Sequence, residues 1–243
     1  MRRILAIETA TKVCSVAVAD ECEVLGEFSL FVPQVHAERL IVMTSNLIEN
    51  LRLTYSDLDA VAVSIGPGSF TGLRIGLSVA KGIAYGQDKK LIAIPTLEAI
   101  ARLLRDRAGP EKTIVPVLRA RADEFYYSSF LVKNSELKMR TGYGIADADS
   151  IIAEFSSETF FIGEGAVELS KHEGAKKKFG AGRFIDIPAS AKEVALAAQV
   201  KLEREEFDDV ESLVPMYLKD FIAIKGKSFP NGIHLDNKLL EKI

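Results

Sequence analysis

The stretch GPGSFTGLRIG, residues 66–76, decides the fold of this chain. It follows a short apolar strand pattern, AVAVSI at residues 60–65, and runs into a helical pattern that ends near Gly86. A strand, a glycine-rich turn and a helix start together present backbone N–H groups in front of the turn. Such a turn suits a phosphate, and it equally suits a helix that must lie close to a sheet.

Small residues recur every four positions in the predicted helix, at Gly72, Gly76, Ala80 and Ala84. They form one ridge, because positions i and i+4 share a helix face. The ridge allows close approach by another backbone, which belongs either to the chain's own sheet or to another protein. If it is another protein, a bulky residue at Gly76 or Ala80 should separate the two proteins and leave the lobe folded. If it is the sheet, the same change should unfold the lobe.

The composition is that of an ordinary globular protein. The 243 residues include 48% hydrophobic and 27% charged residues, enough for two modest domains. A net charge of −3 provides no global basic field for nucleic acid. The first apolar run ends at Glu8, too early for a signal peptide, and no stretch is long and apolar enough to span a membrane. We therefore expect a cytoplasmic protein.

The predicted elements follow the order βββαβαβα as far as about Arg107, and a second set of strands begins after Ala108-Gly109-Pro110. This order predicts a two-lobed α/β protein with the ribonuclease H-like architecture of actin, Hsp70 chaperones and sugar kinases. The predicted divisions are a first lobe at 1–108, a smaller second lobe at 109–222 and a C-terminal tail at 223–243. Two like lobes predict a cleft between them, where this group of folds normally holds a nucleotide.

Three blocks of sequence carry a family resemblance: ILAIETA at 4–10, HAERL at 36–40, and the turn at 66–76, with a weaker fourth block, PMYLK, at 215–219. With these blocks the chain resembles the TsaB (YeaZ) family. That family is the non-catalytic partner in bacterial biosynthesis of threonylcarbamoyladenosine at position 37 of tRNA.

The resemblance implies a scaffold that supports threonylcarbamoyl transfer to N6 of the adenosine. It implies binding to a TsaD-like catalytic subunit through two helices of the first lobe, with a TsaE-like ATPase joining there, and a homodimer through the same surface when the chain is alone. Contact with tRNA would be indirect, through the complex. The partner-binding residues predicted on this basis are His36, Arg39, Leu40, Met43, Leu47, Ser69, Phe70, Thr71, Arg74, Ile75, Gly76, Val79 and Ala80.

A nucleotide site is the alternative use of the cleft, and its predicted residues are Glu8, Thr9, Gly163 and Gly165. Glu8 could be a magnesium-linked carboxylate or a half-buried residue that caps a turn. No glycine stands beside it to let the backbone approach a phosphate. We expect no tightly bound cofactor, and ATP or ADP with Mg²⁺ only in the complex.

No catalytic or metal site is predicted. A helical metal pair needs ligands at i and i+4, and His36 is followed at that spacing by Leu40. This argues against the second, less favoured rival function, a glycoprotease-like metalloprotease. The first rival, a free-standing ATPase or kinase of the actin and Hsp70 type, needs facing carboxylates, whereas Arg119 and Arg121 stand opposite Glu8.

A basic run at 176–178 lies in the second lobe. Charge runs usually form a solvated face. Contact with tRNA is the alternative interpretation of this run.

Overall fold

The computed structural model describes residues 2–21, 23–32, 36–121, 123–134 and 136–218. It contains two five-stranded sheets, and each sheet forms a lobe with its own buried apolar clusters. The predicted two-lobed α/β fold of ribonuclease H-like type is therefore confirmed. The predicted tail at 223–243 lies outside the described residues.

The first sheet has the order β3-β2-β1-β4-β5. Its strands are β1 (Arg3–Glu8), β2 (Cys14–Asp20), β3 (Glu23–Leu30), β4 (Ala60–Gly66) and β5 (Lys90–Pro95). β2 pairs antiparallel with β1 and β3, whereas β4 pairs parallel with β1 and β5. β1 and β4 read as continuous apolar runs, because helices cover both faces of the sheet.

The second sheet repeats this topology, in the order β8-β7-β6-β9-β10. Its strands are β6 (Thr113–Arg119), β7 (Glu124–Lys133), β8 (Glu136–Asp147), β9 (Phe160–Ile162) and β10 (Phe184–Ile185). β6, β7 and β8 are antiparallel, and β9 and β10 extend the sheet in parallel from β6. The two halves therefore share a strand order without a visible sequence repeat.

The helices are α1 (His36–Asn50), α2 (Phe70–Gly86), α3 (Thr96–Arg105), α4 (Ala148–Glu154), α5 (Glu164–Ser170), α6 (Glu173–Phe179) and α7 (Ala191–Glu203). α1 and α2 cover one face of the first sheet. α1 ends at Asn50, and two residues later the positive φ of 56° at Arg52 turns the chain away from the helix. α4 and α6, short helices of seven residues each, were not predicted.

α7 follows the second sheet in sequence but packs against the first. Its buried residues Val194, Ala195 and Ala198 join the cluster that contains Ile4 and Ile92. The predicted second lobe at 109–222 included this helix because of its position along the chain. Its apolar and small residues belong to the core of the first lobe.

A C-terminal strap, residues 206–217, also returns to the first lobe. The backbone of Asp208 donates to the carbonyl oxygen of Leu91 at 2.9 Å, and the backbone of Met216 donates to that of Ile65 at 2.7 Å. The strap thus runs from β5 to the C-terminal end of β4, beside α2.

Candidate functional site

The two lobes enclose a cleft of about 750 Å³. The first lobe contributes the turn after β1 and the starts of α1 and α2, and the second lobe contributes the end of β6 and the start of α5. The lining includes Thr11, Lys12, His36, Ser69, Phe70, Thr71, Ile75, Arg119, Arg121, Tyr126 and Glu164. The predicted cleft is therefore present.

The cleft is basic. Lys12 projects from the first lobe and Arg119 and Arg121 from the second, against the single acidic lining residue Glu164. All three cations are exposed, and none forms a salt bridge within the described residues. A nucleotide with a bound Mg²⁺ needs an accessible carboxylate, and Glu164 is the one acidic side chain in the described lining.

Glu8, the predicted magnesium-linked carboxylate, is fully buried and does not line the cleft. Its Oε1 accepts a 2.6 Å hydrogen bond from the backbone N–H of Ala10, and its Oε2 has no hydrogen-bond partner. Burial raises the pKa of Glu8 to about 7. The nearby Ser64 hydroxyl acts in the opposite direction and lowers the pKa of Glu8, although its geometry does not meet the criteria for a hydrogen bond to the carboxyl group.

The first turn of α2 shuts Glu8 off from the cleft. The backbone N–H of Ser69 donates to the carbonyl oxygen of Ala10 at 2.7 Å, and the hydroxyl of Thr9 donates to that of Gly72 at 2.8 Å. A Cβ atom on Gly72 would overlap the Thr9 carbonyl oxygen. Neither Glu8 nor Thr9 lines the cleft, and their role in a nucleotide site stays a prediction.

Gly163 and Gly165 also have a structural explanation. A Cβ atom on either would lie 2.8 Å from the carbonyl oxygen of Val117, so both glycines let α5 approach β6. Gly163 has a φ of +106°, which favours glycine in its own right. Both are buried, and the residue between them, Glu164, is the one that reaches the cleft. Neither glycine lines the cleft, and their role in a nucleotide site stays a prediction.

The predicted partner-binding residues separate into buried and exposed groups. The buried members, which cannot meet a partner at the surface, are Leu40, Met43, Leu47, Gly76 and Ala80. They pack within the first lobe, and a Cβ atom on Gly76 would overlap the Thr9 side chain. The small-residue ridge therefore faces the chain's own sheet, and the interpretation of these five residues as partner contacts is corrected.

His36 is also buried, and its Nε2 lies 3.2 Å from the carbonyl oxygen of Val13. The other predicted residues are accessible. Arg39, Ser69, Thr71 and Arg74 are exposed, and Phe70, Ile75 and Val79 are half-buried. Of the predicted set, these seven retain the ability to contact another molecule through α1 and α2.

The outward surface of α1 and α2 contains residues that sequence reasoning missed. We call the residues Ile41, Val42, Arg74, Ser78, Gly82 and Tyr85 the outer helix face. Ile41 is 60% exposed and Val42 49%, large values for aliphatic side chains. Gly82 has no atom within 4 Å of where a Cβ would stand, although glycine weakens a helix interior. The sequence signal that could have indicated this face is a glycine inside the helical pattern, between Lys81 and Ile83.

Comparison with known proteins decides the family. The family model described as "TsaD: tRNA N6-adenosine threonylcarbamoyltransferase" matches residues 31–221. The Escherichia coli (strain K12) protein named "tRNA threonylcarbamoyladenosine biosynthesis protein TsaB" is 29% identical over 230 residues, covering 92% of this chain and 97% of that protein. The chain belongs to the TsaB (YeaZ) branch of this family.

Further relatives agree with the TsaB assignment. The Bacillus subtilis (strain 168) protein of the same name is 28% identical and covers 89% of this chain and 93% of its own length. The solved structure of YeaZ from Pseudomonas aeruginosa superposes with a TM-score of 0.74 at 25% identity, over 90% of this chain and all of that one. The resemblance stated from the sequence blocks is confirmed.

In this TsaB-family chain, Arg74 is held by aromatic side chains. The centre of its guanidinium lies 3.7 Å from the centroid of the Phe70 ring, and its Nε donates to the Tyr217 hydroxyl at 3.0 Å. The Phe70 and Tyr217 ring centroids are 5.2 Å apart. The weak PMYLK block thus contributes Tyr217 to the surface of α2, and Lys219 of that block lies outside the described residues.

The basic run of the second lobe is partly engaged. Lys178 donates to the carbonyl oxygen of Ile152 at 2.6 Å, whereas Lys176 and Lys177 are exposed. Contact of this run with tRNA stays a prediction. Within the described ranges, no three histidine, cysteine or acidic residues cluster in a way that could hold a metal ion. A search of the same ranges finds no helix with the length and apolar character that a bilayer span requires.

Proposed function

We propose that this chain is the non-catalytic scaffold subunit for threonylcarbamoyl transfer to N6 of adenosine 37 in tRNA. It binds a TsaD-like catalytic subunit, together with a TsaE-like ATPase, in the cytoplasm. The names of the TsaB relatives support the pathway. The observation that carries the non-catalytic role is the burial of Glu8 beneath the first turn of α2.

The state of Glu8 explains why catalysis would reside on the partner. A magnesium-nucleotide site requires an ionised carboxylate that the metal can reach. Glu8 is enclosed, and its pKa of about 7 leaves a large share of the carboxyl groups neutral at physiological pH. The chain would therefore bind no cofactor tightly by itself, and ATP or ADP with Mg²⁺ would belong to the assembled complex. Its contact with tRNA would be indirect.

The outer helix face supports the partner-binding role. Exposed aliphatic residues on α1 offer apolar area to bury, and the exposed glycine on α2 allows another helix to approach closely. The same face would join two copies of the chain when the catalytic subunit is absent. The rival functions gain no support, because Glu8 is inaccessible to a kinase substrate and buried Leu40 occupies the position of the second histidine of a metalloprotease.

Reconstitution of the modification tests this proposal. Purified TsaD-like and TsaE-like proteins from the same organism are incubated with unmodified tRNA, ATP and threonylcarbamoyl-adenylate, with and without this chain. We expect threonylcarbamoyladenosine only when the chain is present, and neither product nor ATP hydrolysis from the chain alone. Val42→Asp on the outer helix face should abolish the stimulation.

Met139→Asp is the matched control, because Met139 is 46% exposed on β8 of the other lobe. It should support full product formation. ATP hydrolysis by the isolated chain that disappears with Glu8→Ala, or full modification without the chain, would refute the proposed function.

A further inference from the structure

The guanidinium of Arg74 is held in one orientation by groups from two distant parts of the chain. Phe70 lies under its flat face, and the Tyr217 hydroxyl accepts from Nε. Its terminal nitrogens, Nη1 and Nη2, make no hydrogen bond to any residue of the described ranges. Arg74 is exposed, so this pair of donors faces outward from the start of α2.

The strap fixes Tyr217 in turn. Met216 is tied to the end of β4 by its backbone hydrogen bond to Ile65. Farther back along the strap, Lys81 of α2 donates to the carbonyl oxygen of Glu211 at 3.0 Å. Tyr217 therefore reaches Arg74 from a segment that is anchored to both β4 and α2.

We propose that Arg74 is a preorganised receptor for an aspartate or glutamate carboxylate of the catalytic partner subunit, and that Tyr217 is the residue that positions it. A planar guanidinium binds a carboxylate with two parallel hydrogen bonds. Immobilising a long side chain before binding removes part of the entropy cost of association. This inference rests on the proposed function, since it assigns one contact within the partner surface.

The surroundings favour a protein carboxylate over a phosphate. One and two turns after Arg74, α2 presents the small uncharged residues Ser78 and Gly82, and its next cation, Lys81, already donates to the Glu211 carbonyl oxygen. Phosphate backbones of nucleic acids are bound by several cations acting together. An oriented arginine followed along its helix by small uncharged residues fits an acidic side chain of a protein.

A double-mutant cycle on the full chain tests the inference. The dissociation constant for the TsaD-like subunit is measured for the parent, Arg74→Lys, Tyr217→Phe and the double variant, with a melting curve for each. Arg74→Lys retains the charge and loses the paired donors, so we expect affinity to fall by about tenfold. Tyr217→Phe retains the ring and loses the hydroxyl, so we expect a fall of about threefold.

Because Tyr217 acts through Arg74, the double variant should bind no more weakly than Arg74→Lys alone. All four proteins should melt at similar temperatures, since the changed groups are exposed. A parent chain that does not bind the TsaD-like subunit overturns the proposed function and this inference with it. A parent that binds, with variants that bind equally well or whose effects add, overturns this inference alone. Unchanged binary affinity with weaker tRNA binding by the complex also overturns it, because Arg74 then meets phosphate.

Discussion

The hydroxyl of Thr9 donates a 2.8 Å hydrogen bond to the carbonyl oxygen of Gly72, a residue 63 positions later in the chain. Both residues are buried, and the bond fastens the turn after β1 to the first turn of α2. The glycine-rich turn therefore serves close packing of a helix on a strand. The same packing encloses Glu8.

Replacing Gly72 by alanine should destabilise the first lobe. The new methyl group would overlap the Thr9 carbonyl oxygen, and overpacking of this kind costs about 1–3 kcal/mol or more. Gly82→Ala is the matched control on the same helix, where a Cβ has open space, and it should raise the free energy of unfolding by up to about 1 kcal/mol. Urea denaturation measures both. Equal effects of the two variants would contradict the close packing at Gly72.

The ridge illustrates what sequence could and could not establish. The recurrence of small residues every four positions correctly identified a face of α2 that another part of the chain approaches closely. It could not identify the neighbour, because a sheet and a partner helix impose the same requirement for small residues. The structure supplies Thr9 as the neighbour of Gly72 and Gly76. Gly76→Leu and Ala80→Trp are therefore expected to unfold the first lobe rather than to separate it from a partner.

Glu8 should make the stability of the chain depend on pH. Its pKa rises from an ordinary 4.5 to about 7 in the folded state. Between these values the folded protein retains a proton that the unfolded chain releases, so the free energy of unfolding falls as pH rises through this window. The total loss is on the order of 3 kcal/mol, complete above pH 7 or so.

Glu8→Gln should abolish that loss, because the amide stays neutral and its oxygen can still accept from Ala10. Urea denaturation of both proteins at pH 5 and pH 8 isolates the contribution of Glu8 from those of other groups. The variant should gain stability relative to the parent at pH 8. Parallel pH profiles for the two proteins would show that Glu8 is ionised when folded.

Glu27 should hold α7 on the first sheet. Its Oε1 accepts from the hydroxyls of Ser15 at 2.8 Å and Ser190 at 2.7 Å, which joins β2 and β3 to the start of α7. Glu27→Ala leaves these donors without their acceptor and should cost about 1–3 kcal/mol. Glu23→Ala, at an exposed position of the same strand, is the control and should be neutral within about 0.5 kcal/mol. A calorimetric melt that does not distinguish them would refute this role.

Asp208 should anchor the strap. Its Oδ2 accepts from the backbone N–H of Ala93 at 2.7 Å, in addition to the backbone bond that it makes to Leu91. Asp208→Ala should lower the free energy of unfolding by about 1–3 kcal/mol. Asp209→Ala breaks only a local turn with Ser212 and should cost less. Hydrogen exchange at the amide of Ala93 should accelerate in the first variant and not in the second.

The packing of the strap and α7 on the first lobe could not be predicted from the sequence, for one physical reason. Both return to the first lobe after all five strands of the second sheet, and local periodicity carries no information about which sheet a helix will cover. The order of strands and helices was predictable, since each element carries its own apolar pattern. The identity of the outer helix face was not, because exposure of Ile41 and Val42 depends on how α1 lies on the sheet.

The affinity of Gly82→Leu for the TsaD-like subunit tests directly whether the outer helix face is the surface that binds this partner. A Cβ at Gly82 would meet open space within the described part of the chain, so leucine should leave the melting temperature unchanged or slightly higher. If the outer helix face is the partner surface, the bulky side chain should hold the two helices apart and weaken binding at least tenfold. A folded Gly82→Leu protein that binds the TsaD-like subunit as tightly as the parent would show that the outer helix face is not the partner surface.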